Sequence, residues 1–335
     1  MRKIRVNMIA ESEFTVRGHG VHTAYVEITN ALRQQPNIDV KVNTRRSADI
    51  VHSHSPGPYA ISCLHKAGQA KKVISGHVVP ASLIGSLRLA NLWSPIARSY
   101  LRWYYNKADL VLAVSEETVD GLSKMGVENV KLLHNGIDIE QYKISASDRR
   151  QVRQALGIEP DDIVVVGNGQ VQPRKRFDLF IDLACAIPEV KFFWVGGIPR
   201  LGAQYRKMKS LVRQAPKNVT VTGVIELEDV KKYYQAADIF IMPSVQETFG
   251  LAILEAAAAG LPLLIRDIPD YQNTFSSGAM LAKNDEEFEQ KLRQLATDSK
   301  LRRKYAALAK TIAQRFDSKK QAKDLVKYYQ QLLKE

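Results

Sequence analysis

Short apolar runs of four to eight residues recur along the chain, separated by segments in which apolar positions fall three or four apart. The first run, KIRVNMIA, reads as a strand. EFTVRGHGVHTAYVEITNALRQQ follows it, a glycine-bearing turn leading into a helix with Val21, Tyr25, Ile28 and Leu32 on one face. IDVKVNT, ADIVHSHSP, KKVISGHV, ADLVLAVS and VKLLHNGID continue the series as runs of the kind buried in parallel sheets. A polar stretch, KISASDRRQVRQALGIEPDD, interrupts it. IVVVGNG, VKFFWVGG, NVTVTGV, ADIFIMPS and LPLLIRD then begin a second series. Strands alternating with helices twice over predict an α/β chain of two Rossmann-like parallel-sheet domains, joined near residues 143–160 and facing an interdomain cleft. The expected division is 1–143, 144–316 and 317–335, the last a helix over about Ser318–Leu333 that returns to the N-terminal domain.

Composition narrows the class. The chain has 335 residues, 45% hydrophobic and 25% charged, which excludes intrinsic disorder and suits two domains. No run of 18 apolar residues occurs, and Glu11 and Glu13 follow the first apolar run too closely for a signal peptide, so a cytoplasmic protein, or one attached to a membrane only from the side, is expected. Cys63 and Cys185 stand far apart, with no metal-ligand spacing. The formal charge of +13 calls for an anionic partner: nucleic acid, a phosphorylated substrate or anionic lipid. Its distribution is informative. Between Ile50 and Ala108 there is no Asp or Glu, while Lys66, Lys71, Lys72, Arg88, Arg98, Arg102 and Lys107 supply +7, the whole surplus of the first 150 residues.

The stretch PSVQETFGLAILEAAAAGLPLLIRD follows a predicted strand and opens a helix near Gly250 that stops at Gly260, with Pro262 beyond. Amides of Thr248, Phe249, Gly250 and Leu251 at such an N-terminus suit a phosphate or a sugar oxygen. Glu247 just ahead of the helix and Glu255 within it suit polyhydroxyl ligands, since a carboxylate accepts several hydroxyl hydrogen bonds. The plainer alternative is that Glu255 caps a buried network. A second segment, GNGQVQPRKRFD, follows a strand and carries Arg174, Lys175 and Arg176, which read either as an anion site or as a solvated basic turn.

These segments resemble glycosyltransferase family 4, retaining, nucleotide-sugar-dependent enzymes of GT-B fold. The pattern is met by Glu247, Phe249, Gly250, Glu255, Gly260 and Pro262, and the likeness extends over nearly the whole chain. The resemblance implies that Glu247 contacts the donor sugar's hydroxyls, that the Phe249–Gly250 backbone holds the distal phosphate and that Glu255 holds the ribose. It also implies that Lys175 neutralises the donor diphosphate as the nucleotide leaves. Gln170 stands where the family usually has Arg, which leaves Arg174 or Arg176 to supply that charge. Gly18 and Gly20 match a turn that brings amides toward the diphosphate, and His77 matches a histidine near the reacting carbon whose imidazole or main chain contacts the donor sugar. A tight turn and a structural histidine are the corresponding alternatives. His52 and His54 resemble a strand-end pair that the resemblance places on the acceptor side, and Asn135 with Gly136 a turn toward the interdomain linker. No Asp-x-Asp motif is present, so no cofactor and no metal are expected.

Residues 80–107 interleave Trp93, Trp103, Tyr104 and Tyr105 with Arg88, Arg98, Arg102 and Lys107, and Pro95 separates two amphipathic halves. Such a helix pair suits a membrane interface, the alternative being a core helix with basic ridges. Within the family this looks most like bacterial enzymes that glycosylate diacylglycerol, and among them those adding a second sugar. The implied reaction moves a hexose, favoured as galactose, from a UDP-sugar to glucosyl-diacylglycerol at anionic lipid, on the cytoplasmic face of the membrane. Diacylglycerol itself, a soluble sugar or a polyprenyl-linked glycan are alternative acceptors. An epimerase of the same architecture and a non-catalytic basic binding protein are more distant readings. No nucleic-acid motif accompanies the charge, and the oligomeric state is left open.

Overall fold

The computed structural model describes residues 2–14, 20–78, 90–143, 145–199 and 202–335, with only the backbone described at 90–94. The chain forms two units. One holds the described residues up to Asp138, Ala90 excepted, together with Phe316–Glu335, and the other holds Ala90 and Ile139–Arg315.

In the first unit, β1 (Ile4–Ile9), β2 (Ile38–Val42), β3 (Ile50–Ser53), β4 (Lys71–Gly76), β5 (Leu110–Ala113) and β6 (Val130–Leu132) form a parallel sheet ordered β2-β1-β3-β4-β5-β6. In the second, β7 (Val164–Asn168), β8 (Lys191–Val195), β9 (Val219–Val221), β10 (Ile239–Met242), β11 (Leu263–Arg266) and β12 (Met280–Ala282) form a parallel sheet ordered β12-β11-β10-β7-β8-β9. The central strands are buried along their lengths and do not alternate, as strands covered on both faces must be. In each sheet the strand order reverses once, between β1 and β3 and between β7 and β10. Open α/β sheets bind ligands beyond the carboxyl ends of the strands at such points.

The segment expected to join the domains is mostly a helix of the second unit, Ala146–Ala155. Its Ser145 cap accepts from the Asp148 amide at 3.1 Å. Arg149 and Arg153 pair with Asp238 at 2.7 and 3.3 Å, which ties the helix to the start of β10. Those charges looked like a polar linker because their partner lies over 80 residues away in sequence.

The chain re-enters the first unit at Phe316. The Ser318–Leu332 helix buries Ala322, Leu325, Tyr329 and Leu332 in the core that holds Val6, Tyr25, Ile28 and Leu32. Its entry is fixed by Ile137 N donating to Phe316 O at 3.1 Å and Ser318 N donating to Ile137 O at 2.9 Å. Gly136 allows this approach, because a Cβ there would fall 2.8 Å from Ser318 Cα and 3.0 Å from Phe316 O, both backbone atoms that cannot swing aside. Gly136→Ala is therefore expected to destabilise the fold by about 1–3 kcal/mol, read as a lower urea midpoint, whereas Gly20→Ala, beside open space, leaves the midpoint near wild type.

Candidate active site

The reversal point of the second sheet gathers the chemistry. Beyond β7 the chain passes through Gln170 and Gln172 into a single 3₁₀ turn, Pro173–Lys175. Beyond β10 it runs from Pro243 to Glu247. The two loops are stitched together: Val245 N donates to Arg174 O at 2.9 Å, and Arg174 Nη1 donates to Gln246 O at 3.0 Å. The stitching brings the Lys175 ammonium onto Glu247 Oε1 in a charge-assisted hydrogen bond, with Arg174 Nη1 3.4 Å from the same oxygen. Both Lys175 and Glu247 are buried, each 8% exposed.

Burial and ion pairing compete here. For Glu247, burial pushes the carboxyl up, but Lys175 and then Arg174 outweigh it and hold the group below its usual range, ionised. For Lys175, burial is the larger influence and lowers the ammonium from its ordinary value against the pull of Glu247. A cation with little water around it exerts a stronger field on a nearby anion than an exposed one.

The Leu251–Ala258 helix starts beside this pair in sequence. Its cap, Gly250, has φ 97°, a left-handed conformation in which a side chain is strained, and a Cβ there would lie 3.0 Å from Ile253 Cδ1. Phe249 is 1% exposed and packs edge-on to Phe275 at 5.9 Å, so this side chain is core and only its backbone can serve a ligand. Thr248 precedes it in the turn, and Leu251 is 8% exposed at the first helical position. Glu255, 3% exposed, accepts from Tyr234 Oη at 2.8 Å and from Asn168 Nδ2 at 3.3 Å. Burial, then the charge of Glu255, pushes the Tyr234 phenol well above its ordinary value, which keeps it a donor. Glu255 thus belongs to a polar network and is held rigidly by it, whatever else it binds.

One sequence expectation changes. Arg176 is committed elsewhere, with Nη2 2.7 Å from Asp285 and Nε 3.2 Å from Asp178, so it does not replace the charge missing at Gln170. Arg174 does stand at the pair. Gln170 accepts from Gln172 Nε2 at 2.8 Å and so helps order the loop.

In the first unit, His52, His54 and His77 form a buried row at the ends of β3 and β4. His52 is held between Tyr329 Oη at 2.6 Å and Ser75 Oγ at 2.9 Å, wholly buried, and its role is structural. Burial, with His77 adding to it, lowers its pKa to about 3, so it is neutral. His54 Nδ1 lies 3.0 Å from His77 Nε2. Gly20 opens the Gly20–Arg33 helix, and Gly18 falls outside the described residues.

The Ala90–Tyr105 helix runs unbroken through Pro95, in its second turn, where a break had been expected. One face buries Ala97, Leu101, Tyr104 and Tyr105. A second apolar stripe, Ile96, Tyr100 and Trp103 at helical spacing, is 74%, 38% and 49% exposed. Lys107 Nζ sits 4.0 Å above the Trp103 ring. Arg98 donates to Lys124 O at 2.9 Å, and Arg102 lies against Gly126, so these two arginines also brace a neighbouring turn. Arg88 and the Trp93 side chain fall outside the described residues. Among the described residues no helix is long and apolar enough to cross a membrane.

Comparison with known proteins bears directly on this architecture. The pattern described as Glycosyltransferase Family 4 matches residues 14–141, and that described as Glycosyl transferases group 1 matches residues 148–312. An alpha-galactosylglucosyldiacylglycerol synthase of Streptococcus pneumoniae is 32% identical over 279 residues, 81% of this chain and 74% of that protein. The chain belongs to glycosyltransferase family 4. A processive diacylglycerol alpha-glucosyltransferase of Acholeplasma laidlawii is also similar to this glycosyltransferase, 25% identical over 85% of the chain and 86% of its own length. The crystal structure of Anabaena Alr3699/HepE in complex with UDP and glucose shares the fold, with a TM-score of 0.78 at 19% identity over 97% of this chain and 99% of that one. The two sheets are thus the two Rossmann-like domains of a GT-B glycosyltransferase.

Three features seen in the structure were missed in the sequence. Asn168 closes a strand and gave a local signal, an Asn between glycines. Tyr234 gave none, since it meets Glu255 across 21 residues and Asn168 across 66. The pairing of His54 with His77 joins the ends of adjacent strands and was invisible before their register was known.

Proposed function

We propose that this glycosyltransferase is a retaining hexosyltransferase that moves a hexose, galactose by preference, from a UDP-sugar to glucosyl-diacylglycerol, forming a diglycosyl lipid. The observation that carries the reading is the buried Lys175–Glu247 pair with Arg174 beside it at the strand-order reversal. The similarity to the two diacylglycerol glycosyltransferases supports the lipid acceptor.

In this reading Lys175 and Arg174 lie against the diphosphate, where negative charge grows as the sugar departs, and stabilise the transition state more than the ground state. The Gly250 turn and the helix N-terminus behind it add positive potential. Glu247, held ionised, accepts hydroxyl hydrogen bonds from the hexose and orients it. Glu255, fixed by Tyr234 and Asn168, accepts from the ribose. Retention follows from front-face attack, the acceptor hydroxyl passing its proton toward the leaving diphosphate. The protein supplies the cations, so no metal cofactor is required, and EDTA is expected to leave the turnover rate unchanged.

The exposed Ile96–Tyr100–Trp103 stripe supports peripheral attachment to the cytoplasmic leaflet, with Lys107, Arg98 and Arg102 drawn to anionic headgroups. A buried-helix reading leaves this second apolar stripe unexplained.

Thermal denaturation tests the donor assignment. A ligand that binds only the folded protein at 100 times its Kd stabilises by about 2.7 kcal/mol. UDP-galactose or UDP-glucose is therefore expected to raise Tm in the wild type and less so in Tyr234→Phe, which removes one tether of Glu255. An unchanged Tm with both nucleotide sugars sinks the donor assignment.

A further inference from the structure

The loop that carries Lys175 is tied down by one side chain of the neighbouring strand. Lys175 runs over the α-carbon of Gly169: a Cβ on that glycine would fall 3.2 Å from Lys175 Cε and 3.4 Å from Nζ. Gly169 has φ 145°, a conformation that side chains rarely adopt, so a glycine both makes the turn and leaves room for the ammonium stem. Its backbone is bonded on both sides. Gly169 N donates to Val195 O at 2.9 Å, and Gly169 O accepts from Trp194 Nε1 at 2.8 Å.

Trp194 also reaches the far end of the same loop. Its wholly buried ring meets Phe177 edge-on at 5.1 Å, and Phe177 opens the Phe177–Ala186 helix two residues beyond Lys175. Between Lys175 and Phe177, Arg176 has φ 52°, a left-handed exit that a loop keeps only when its surroundings impose it. A buried indole N–H needs an acceptor. Here the acceptor belongs to the loop, so the loop cannot shift without stranding the indole. Phe192, on the same face of β8, fills the core beside Phe180 at 5.4 Å with no N–H to place, so packing alone does not call for tryptophan.

We infer that Trp194 is a positioning residue for Lys175: its N–H fixes the Gly169 carbonyl and its ring fixes Phe177, and together they hold the loop in the shape that carries the Lys175 ammonium to Glu247. The effect on turnover rests on the proposed role of Lys175 at the diphosphate. The seating of the ammonium does not.

The test is a double-mutant cycle on the full chain, read once in kcat and once in urea denaturation. Trp194→Phe keeps an aromatic ring and removes the N–H. It is expected to lower kcat about 10–100-fold, the scale of loss when a reacting geometry is misplaced by about 1 Å, with KM for the lipid acceptor near that of the wild type. In Lys175→Met, where no ammonium is left to position, the same change is expected to cost less than about 2-fold. Phe192→Leu, which loosens the core without touching the loop carbonyl, is expected to lower the urea midpoint and keep the wild-type kcat. In urea the Trp194 and Lys175 changes are expected to be non-additive, since the first weakens the ion pair that the second removes. The inference is overturned by an unchanged kcat in Trp194→Phe, by an equal loss in both backgrounds, by a matching loss in Phe192→Leu or by additive stabilities. Trp194→benzothienylalanine, which keeps the shape of the indole and puts sulfur in place of the N–H, gives the same reading if the phenylalanine variant fails to fold. A wild-type kcat in Lys175→Met would count against the proposed function, and the urea cycle would then decide on Trp194 alone.

Discussion

Lys175→Met is expected to lower kcat about 100–1000-fold, the loss typical of removing one preorganised donor from a developing anion. Methionine keeps most of the volume and none of the charge. The difficulty in reading such a variant is stability, since breaking a buried ion pair strands the remaining charge. Arg174, 3.4 Å from the same Glu247 oxygen, remains to hold it. The cost should therefore stay below the about 3–5 kcal/mol lost when an isolated buried pair is broken. Glu247→Gln gives the mirror case, leaving Lys175 buried with its pKa already lowered by burial. The double variant separates the two effects. In urea denaturation Lys175→Met/Glu247→Gln is expected to recover stability relative to the single variants, because neither charge is stranded. Its kcat is expected to stay at or below the lower single. Recovery of activity along with stability would mean that the pair is only structural.

The second large effect concerns the membrane. Ile96→Ser/Trp103→Ser is expected to weaken binding to vesicles containing phosphatidylglycerol about 10–100-fold, since each large apolar side chain fully buried is worth about 1.5–3 kcal/mol and these insert in part. Tyr100 is left in place because its hydroxyl donates to Pro56 O and helps fix the turn after β3. The two serines replace side chains that are 74% and 49% exposed, so the fold should be unaffected. Raising salt should weaken the wild type only modestly, because screening acts on Lys107, Arg98 and Arg102 and not on the apolar stripe. Activity toward a water-soluble glucoside acceptor should match that of the wild type. Vesicle flotation and the two assays check this, and unchanged flotation of the double variant contradicts membrane docking by this stripe.

What the sequence disclosed and what it withheld divide along physical lines. Strands buried on both faces write themselves as continuous apolar runs, and Gly250, Gly260 and Pro262 mark the ends of a helix, so both sheets and the Glu247–Glu255 segment were legible. Lys175 could be named because GNGQVQPRKRFD resembles the family's lysine-bearing segment. Its partner could not be derived from spacing, since Glu247 is 72 residues away and the two meet only because β7 and β10 are neighbours. Arg176 misled for the same reason: one of its partners, Asp285, lies 109 residues away. Local charge density shows that cations are present but not which are already neutralised. The Ala90–Tyr105 helix carries apolar residues on two faces, and only the packed fold tells which face is covered.

Transfer of radiolabelled galactose from UDP-galactose to glucosyl-diacylglycerol in phosphatidylglycerol vesicles tests the central claim most directly. The account predicts a diglycosyl-diacylglycerol product with the donor's anomeric configuration retained, formed by the wild type and reduced about 100-fold or more in Lys175→Met. The absence of any lipid product from the wild type with either UDP-galactose or UDP-glucose would contradict it.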